Sequence, residues 1–358
     1  MISDITNTWV PSMRRYIDEE ALMKLIQRQG YLDFLRRNRD RPIIKVVSGI
    51  RRCGKSTLFR LFKDELLADN VKPEQIISIN FEELEYEHLR DYHALYQYIL
   101  ERIQPNETNY IFLDEIQHVD QFHRVVDSLF VKENTDLYIT GSNAYFMSSD
   151  IATLLTGRYV EIQMLPLSFS EFYHSKYEGN QYSLIPAYEA YLRESSFPYT
   201  QQLGGEDFDI QEYLRGLYNT LLLHDVVARL KINDVTILQD IVRYIMANVG
   251  SLLSPNKIAN SLVSAGRKID NKTVERYLQG LQDSLLLYKV NRYDVRGKEL
   301  LRINAKYYSV DVTLRNLLVG NASRDTGHIL ENIVFLELIR RCLLYTSPSP
   351  RDRTRSRM

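Results

Sequence analysis

Short apolar runs alternate with longer amphipathic segments between residues 41 and 165. The runs are rich in Ile, Val, Leu and Tyr, which is typical of strands buried on both faces of a parallel sheet. Between them, apolar residues recur every three or four positions, as in helices. The pattern predicts strands at 43–47, 76–81, 110–114, 137–140 and 159–164, and helices at 56–67, 92–103 and 122–131. It therefore indicates an α/β domain with a parallel sheet flanked by helices.

The remainder of the chain has a mostly helical pattern. Residues 1–40 predict a helical segment, with a basic side between Asp18 and Arg37. After Pro166, the sequence from Ser168 to Glu171 matches a capping box that opens another helix. Helical periodicity then continues to about residue 320, with one expected hairpin near 287–309. A helix is expected at 271–287, and the strands of the hairpin are expected at 288–290 and 300–303.

Gly49 to Ser56 matches the phosphate-loop pattern G-x-x-x-x-G-K-[ST], after a predicted strand and before a predicted helix. Gly49 and Gly54 permit a tight loop whose N–H groups point at phosphate oxygens, and the helix N-terminus adds positive charge. We expect Lys55 to reach the β- and γ-phosphates and the Ser56 hydroxyl to bind Mg²⁺. The alternative is a glycine turn before a helix that binds no ligand.

Four further residues complete this predicted phosphate loop: Arg51, Arg52, Cys53 and Thr57. Thr57 is placed to help at the α-phosphate, and Cys53 is interpreted as a small residue that fills the loop. The cofactors predicted from the motif are a nucleoside triphosphate, taken as ATP, and Mg²⁺.

A pair of carboxylates follows the third predicted strand, at Asp114 and Glu115. Asp114 is placed to hold Mg²⁺ through water, and Glu115 to orient and polarise an attacking water. The alternative is a solvated loop. Because a second acid is present, we predict an enzyme, an ATPase that releases phosphate.

Two other polar positions are weaker candidates for the catalytic site. Ser142 and Asn143 follow the next strand, where either side chain could sense the γ-phosphate, unless this is an ordinary polar turn. Arg158 precedes the last strand and could supply charge to the transition state, in cis or across a subunit interface. Its alternative is a surface ion pair.

These motifs together resemble the AAA-type ATPases of bacteria and archaea that carry a C-terminal domain of unknown function. The resemblance covers roughly residues 13–341 and is most specific at Ile50 to Thr57 and Phe112 to Gln117. Weaker matches are 139–143, 155–159, 165–172, 307–311 and 327–332. The resemblance implies an ATPase domain, a helical and winged-helix-like middle, and a nuclease-like C-terminal fold. It also supports ATP over GTP.

One departure from that family lies at Glu194 to Pro198, where the family usually has glycines before the Phe-Pro pair. A second lies at residues 342–358, which lack hydrophobic periodicity. From Cys342 to Asp352 this tail resembles a translated sequencing adapter, so we interpret it as non-native and the preceding domain as truncated. The alternative is a natural basic tail.

These observations divide the chain into six segments. They are an N-terminal helical segment (1–40), the ATPase domain (41–165), a helical connector or lid (166–230), a winged-helix-like domain (231–310), the start of the C-terminal domain (311–341) and the tail (342–358).

The expected winged-helix-like domain carries a local excess of positive charge. Residues 251–306 hold 11 Lys and Arg against 5 Asp and Glu, a net +6, whereas the chain's formal net charge is −1. Phosphate contacts to double-stranded DNA are expected from Lys272, Arg276, Arg296 and Lys298. The alternatives are a contact module for a protein partner or an ATPase lid.

Bulk composition sets the remaining expectations. The two cysteines build neither a disulfide framework nor a CxxC metal site. No signal-peptide core precedes Arg14, and no uncharged apolar stretch approaches the roughly 20 residues needed to span a bilayer. We therefore expect a cytoplasmic protein with no membrane partner. Oligomeric state stays open, with a homo-oligomer as one alternative. An ATP-occupancy switch that regulates DNA with little hydrolysis is the alternative function.

Overall fold

The computed structural model describes residues 25–142, 155, 157–177, 182–203, 207–291, 304–320 and 326–341. A five-stranded sheet with the order β2-β3-β4-β1-β5 lies at its centre, and every neighbouring pair is parallel. Its strands are β1 (Ile44–Ser48), β2 (Ile76–Asn80), β3 (Asn109–Asp114), β4 (Thr135–Gly141) and β5 (Tyr159–Gln163). The predicted parallel sheet is therefore confirmed.

Helices cover both faces of this sheet, as the periodicity predicts. They are α1 (Gln29–Asn38), α2 (Lys55–Ala68), α3 (Tyr92–Leu100) and α4 (Phe122–Phe130). Every residue of β1 and β3 is buried, because these central strands are covered on both sides. The edge strand β2 mixes buried and exposed positions.

The predicted helix from Asp18 to Arg37 is wrong at residues 25–28, which are not helical, and residues 1–24 lie outside the described part of the chain. The helix begins at Gln29 because Arg28 has a non-helical backbone (φ −100°, ψ 75°). Its guanidinium is buried in contacts with other segments, which fix the chain direction at this point.

A cluster of four aromatic side chains fixes α2 on the sheet. The rings of Phe112 and Tyr138 stack with their centroids 4.6 Å apart. Phe59 meets Phe112 edge-on at 5.2 Å, and Phe62 lies 5.3 Å from Tyr138. These contacts hold the first turn of α2, and with it the loop that precedes the helix, at the carboxyl ends of the strands.

The chain beyond the sheet is mostly helical, and we call residues 169–341 the helical region. Its elements are α5 (Phe169–Tyr177), α6 (Leu184–Glu194), α7 (Asp207–Thr220), a π-helix (Leu221–Ala228), α8 (Val235–Ala247), α9 (Pro255–Ser264), α10 (Asn271–Asp283), α11 (Val312–Val319) and α12 (Thr326–Arg340). The predicted capping box is confirmed at α5, because Ser168 N donates to Glu171 Oε2 at 2.8 Å and Glu171 N donates to Ser168 Oγ at 3.1 Å.

A small antiparallel sheet with the order β6-β8-β7 follows α9 and α10. Its strands are β6 (Leu252–Leu253), β7 (Leu287–Asn291) and β8 (Ala305–Ser309). The predicted hairpin is present, but the partner of β7 is β8, in a register that sets Tyr288 opposite Tyr308. The partner expected at 300–303 lies outside the described residues. The predicted helix 271–287 ends early, at Asp283, because the buried Leu285 takes a left-handed backbone with φ 59°.

Separate apolar cores cover the two faces of the sheet, and a third, smaller cluster lies around Phe172 and Tyr191. One fills the α4 face of the sheet, around Val46, Leu113 and Val125. The other runs without interruption from the α2 face into the helical region and includes both Cys53 and Leu222. The loop before α2 therefore lies where the α/β domain meets the helical region. Within the described residues, no helix is long and apolar enough to cross a membrane.

Candidate nucleotide site

The loop from Gly49 to Gly54 wraps closely over the end of β1. A Cβ atom at Gly49 would come within 2.3 Å of the Met164 carbonyl oxygen and 2.9 Å of Cys53 Sγ, so a side chain does not fit there. Gly54 takes φ 106° and Arg52 takes φ 67°, both in the positive region that a nest of inward-pointing N–H groups uses. Cys53 is fully buried, and burial raises the pKa of its thiol. This burial agrees with the interpretation of Cys53 as a filler of the loop.

Lys55 begins α2 and lies buried beneath the loop. Its Nζ donates to the Gly49 carbonyl oxygen at 3.0 Å and lies 3.0 Å from Glu115 Oε1. Burial alone would lower the pKa of Lys55, but the nearby acidic groups, chiefly the Glu115 carboxylate, together raise it. The lysine is therefore charged and already aimed at the concave side of the loop.

Asp114 ends β3 beside the first turn of α2. Its carboxylate accepts a hydrogen bond from the Thr140 hydroxyl. Burial raises the pKa of Asp114, and the neighbouring hydroxyls of Ser56 and Thr140 oppose that rise. Mg²⁺ prefers oxygen ligands, which a hydroxyl and a carboxylate supply, and it takes its remaining ligands from water and phosphate. Ser56 and Asp114 would hold the ion.

Glu115 has a left-handed backbone, with φ 53°, which turns its side chain back toward Lys55. The second carboxylate oxygen accepts from Gln117 Nε2, and Gln117 also donates to Ser142 Oγ at 3.2 Å. Burial would raise the pKa of Glu115, but the Lys55 ammonium, together with hydrogen bonds from Gln117 and Ser142, lowers it. The arrangement presents one ionised carboxylate and one ammonium at the phosphate loop.

Thr140 positions both acids, although it lies outside the predicted site residues. Its Oγ1 accepts from Glu115 N at 2.8 Å and donates to the Asp114 carboxylate. The signal available in the sequence is its place at the tip of β4, directly beside β3. Gln117, two residues after Glu115, is a second positioning residue that the sequence analysis missed.

A cleft adjoins the loop on the side of Gly54 and Thr57. Most of its walls are apolar, contributed by Leu25, Ile26, Leu58, Leu61, Met164 and Pro198. Arg28, Arg60 and Gln202 add polar groups at its edge. Such a cleft, mostly apolar with a few polar groups, suits a planar heterocycle that is joined to phosphates on the loop.

Arg28 is a buried residue whose role no sequence motif indicates. Its guanidinium forms two hydrogen bonds of 2.9 Å to the Glu171 carboxylate. It also donates to the carbonyl oxygens of Cys53 at 3.1 Å and Leu165 at 2.7 Å. Arg28 thereby fastens the phosphate loop to the segment that enters α5, and it lines the cleft.

The unusual turn at Ser195 supports the opposite wall of the cleft. Ser195 is buried with φ 74° and ψ 154°, a backbone region that is essentially restricted to glycine. A glycine would adopt this backbone without strain. Here Asp311 Oδ2 accepts from Ser195 Oγ at 3.0 Å and from Ser196 N at 2.8 Å, which stabilises the turn that leads to Pro198.

Arg51 links the loop to the helical region. Its Nε lies 3.0 Å from Asp225 Oδ1, on the π-helix, and its Nη1 lies 2.6 Å from Glu82 Oε1. Arg52 is exposed.

Two further predicted site residues are Asn143 and Arg158. Asn143 lies outside the described residues. Arg158 lies at the amino ends of the strands, opposite the phosphate loop. There its carbonyl oxygen accepts from Ile44 N at 2.8 Å, and its guanidinium pairs with Asp127 at 2.7 Å. Its placement corrects the expectation of a role in cis, because a full strand length separates it from the loop. A role across a subunit interface stays a prediction.

Two of the four residues proposed for DNA are described. Lys272 and Arg276 are exposed on α10, and the Arg276 guanidinium lies 5.5 Å from the centre of the Tyr277 ring. Arg296 and Lys298 lie outside the part of the chain that the structure describes, so the expected basic wing stays a prediction.

The sheet order, the loop before α2 and the acids at the end of β3 define a P-loop ATPase fold of the AAA type. Family profiles agree with this class. The profile described as an AAA domain matches residues 41–173, and a domain of unknown function, DUF8612, matches residues 185–325.

Two relatives span most of the chain. An uncharacterised protein of Haemophilus influenzae is 39% identical over 320 residues, which cover 88% of this chain and 79% of the relative. Another, from Methanocaldococcus jannaschii, is 32% identical over 317 residues, covering 83% of this chain and 67% of the relative. The chain therefore belongs to this family of AAA-type ATPases with a C-terminal domain of unknown function, and the resemblance stated from its motifs is confirmed.

A solved structure supports the fold. The Walker-type ATPase PABY2304 of Pyrococcus abyssi superposes with a TM-score of 0.56 and 18% identity, over 82% of this chain and 95% of that chain. At this identity the likeness concerns the fold alone.

Proposed function

We propose that the protein is a Mg²⁺-dependent ATP hydrolase whose turnover moves the helical region on double-stranded DNA. The observation that carries the proposal is the buried pair of Lys55 and Glu115, 3.0 Å apart, beside Asp114 and Ser56 under the phosphate loop. The apolar cleft next to Gly54 suits adenine. The sequence contains no Asn-Lys-x-Asp motif of the kind that reads guanine.

The pairing of Lys55 with Glu115 supports a route to hydrolysis. Phosphate oxygens compete with Glu115 for the Lys55 ammonium when ATP enters. Once the lysine turns to phosphate, its influence on Glu115 weakens, and burial then raises the pKa of that carboxylate. Glu115 thereby becomes a stronger base while substrate is bound.

The reaction itself needs few groups from the protein. Glu115 accepts a proton from water, the water oxygen attacks the γ-phosphorus, and the bond to the β-phosphate oxygen breaks, giving ADP and phosphate. Mg²⁺ bound by Ser56 and Asp114 would neutralise negative charge on the phosphates. Gln117 and Thr140 keep the two acids in place throughout.

The DNA part of the proposal is supported by charge. Residues 251–306 carry a net charge of +6 in a chain of −1, and Lys272 and Arg276 are exposed together on α10. Basic side chains one helical turn apart suit the phosphates of a duplex. We expect Lys272→Ala and Arg276→Ala to weaken DNA binding on all sequences and to lower its dependence on salt.

Phosphate release from ATP and Mg²⁺ tests the proposal, with and without double-stranded DNA. Glu115→Gln should bind ATP and lose turnover about 100-fold or more. The matched control is Glu101→Gln, because Glu101 is an exposed acid remote from the loop. Unchanged turnover in Glu115→Gln would remove the assigned base.

The same assay tests the alternative, an ATP-occupancy switch that regulates DNA. Tight ATP binding without phosphate release, in the presence and in the absence of DNA, would favour the switch. Stimulation by DNA that disappears in Arg276→Ala would support the coupled ATPase. Turnover that DNA leaves unchanged would contradict the coupling.

A further inference from the structure

The side chain of Arg51 joins the phosphate loop to the helical region and to a second acid of the α/β domain. Its guanidinium makes a two-point contact with Asp225, with Nε 3.0 Å from Oδ1 and 3.1 Å from Oδ2. The contact is largely shielded, since the Asp225 side chain is 8% exposed and that of Arg51 is 21% exposed. The second partner, Glu82, is 48% exposed and belongs to the α/β domain.

Asp225 lies on a segment that packs closely against α10. The segment is a π-helix, a strained form that is common at functional sites. A Cβ at Gly280 of α10 would come within 2.5 Å of Leu230 Cδ1 and 3.1 Å of Val226 Cγ1. Arg229 also donates to the Gly280 carbonyl oxygen at 3.2 Å. A displacement of Asp225 would therefore be passed to α10, the helix that carries Lys272 and Arg276.

Arg51 belongs to the phosphate loop itself, between Gly49 and Gly54, and is surrounded by acidic groups. The carboxylates of Asp225, Glu115 and Glu82 all act on its guanidinium. A planar guanidinium binds carboxylate and phosphate with the same two-point geometry, so the two anions are exchangeable partners. Lys55 is similarly paired with a carboxylate in the same pocket, at 3.0 Å.

We propose that Arg51 senses the γ-phosphate, which competes with Asp225 for its guanidinium and so releases the π-helix and α10. This inference rests on the proposed binding of ATP at the phosphate loop. The nucleotide state would reach the helical region through one exchange of partners: Arg51 with Asp225 in the absence of the γ-phosphate, and Arg51 with phosphate in its presence.

Competition fixes the sign of the expected effects. Because Asp225 holds Arg51 away from phosphate, Asp225→Asn should bind the non-hydrolysable β,γ-methylene analogue of ATP about five-fold more tightly, with little change for ADP. Arg51→Gln should lose the preference for the triphosphate over ADP. Glu82→Gln is the matched control, and its effect should be smaller because that acid is half exposed and screened by solvent.

The experiment measures the affinities of both nucleotides by titration calorimetry, and hydrogen exchange over residues 221–230, for wild type and these three variants. The triphosphate analogue, but not ADP, should speed exchange in the wild type. In Asp225→Asn exchange should be fast without nucleotide. An unchanged ratio of triphosphate to ADP affinity in both Asp225→Asn and Arg51→Gln would overturn the inference, as would weaker triphosphate binding in Asp225→Asn.

Failure of the proposed function would look different. If the wild type binds neither nucleotide, or if Lys55→Ala binds as well as the wild type, then the phosphate loop is not the binding site and both proposals fall. If the wild type binds the nucleotides and Lys55→Ala does not, binding at the phosphate loop is supported. The ratios of triphosphate to ADP affinity then test the role of Arg51 alone. Arg51→Gln reports on the inference even if Asp225→Asn fails to fold.

Discussion

Two buried pairs of a lysine and a carboxylate lie at opposite ends of the same parallel sheet. Lys45 of β1 pairs with Asp136 of β4 near the amino ends of the strands. Lys55 pairs with Glu115 beyond the carboxyl ends, 3.0 Å apart. All four side chains are at most 6% exposed. Burial of an ion pair therefore does not by itself distinguish a site from a structural contact.

The partners around each pair make the distinction. Lys45 also donates to the Arg41 carbonyl oxygen at 2.9 Å, and Asp136 accepts from Asp40 N at 2.9 Å and Tyr138 OH at 2.7 Å. Burial lowers the pKa of Lys45 and raises that of Asp136. This pair is enclosed by its own protein partners, so it offers no group for exchange with a ligand.

The pair at the carboxyl ends lies instead under a loop built to hold an anion. The pKa of Lys55 is raised and that of Glu115 lowered, because the charge of the partner and the surrounding polar groups together offset the effect of burial. Under the proposed function, phosphate replaces Glu115 as the partner of Lys55. Both lysine–carboxylate pairs are buried, so burial does not distinguish them. They differ in whether a ligand can take the place of the carboxylate that is paired with the lysine.

The largest change in the free energy of unfolding is expected at the pair of Lys45 and Asp136. Asp136→Asn should lower the free energy of unfolding by about 3–5 kcal/mol, since it leaves Lys45 buried without its counter-charge. Denaturant unfolding measures this change. The matched control is Asp127→Asn, which removes a half-exposed surface pair with Arg158 and should cost less than about 1 kcal/mol. Equal losses in the two variants would contradict the structural role of Asp136.

The next effect separates the two lysines by function. Lys55→Ala should weaken ATP binding about 100-fold, because it removes the charged donor beneath the phosphate loop. Lys63→Ala, on the same helix, is the control, because Lys63 donates to Ser78 Oγ at 2.8 Å away from the loop. Titration with ATP and Mg²⁺ measures both. Retained affinity in Lys55→Ala would place the nucleotide elsewhere.

A smaller effect of opposite sign is expected at Asp114. Because burial raises its pKa, the folded state penalises the ionised carboxylate. Asp114→Asn should therefore raise the free energy of unfolding by about 1 kcal/mol at neutral pH, while the Mg²⁺ dependence of ATP binding is lost.

The sign of the pH dependence follows from the raised pKa of Asp114. Below the pKa of Asp114 in the unfolded state, about 3.9, the carboxyl is protonated in both states and does not lower the free energy of unfolding. As the pH rises from there through the higher pKa of the folded state, the buried carboxyl lowers the free energy of unfolding increasingly. The advantage of Asp114→Asn over the wild type should thus grow with rising pH. Denaturant unfolding at pH 5 and pH 8 tests this, and an advantage that shrinks with pH would refute it.

The smallest effect is expected at Arg158. The structure places its side chain at the amino ends of the strands, paired with Asp127. Arg158→Gln should change phosphate release by less than about two-fold in dilute protein, because the chain's own loop is remote from it. A strong loss that depends on protein concentration would instead show that Arg158 acts on a neighbouring subunit.

The elements of the sheet were predictable because local signals agreed with the final fold. Apolar runs gave the five strands to within one or two residues, and the phosphate-loop motif stood between a strand and a helix as expected. The helix limits around Arg28 and Leu285 were not predictable. At both positions contacts from distant segments, or a left-handed turn, override the periodicity.

By itself, the sequence determined the class of fold, the phosphate loop and the two acids, because each is encoded by residues close together in the chain. Only the tertiary structure decided which groups those residues meet. The contacts of Arg28 with Glu171, of Ser195 with Asp311 and of Arg51 with Asp225 each join positions more than 100 residues apart. No local pattern specifies such pairs, since they arise only when the shared core packs the helical region against the loop.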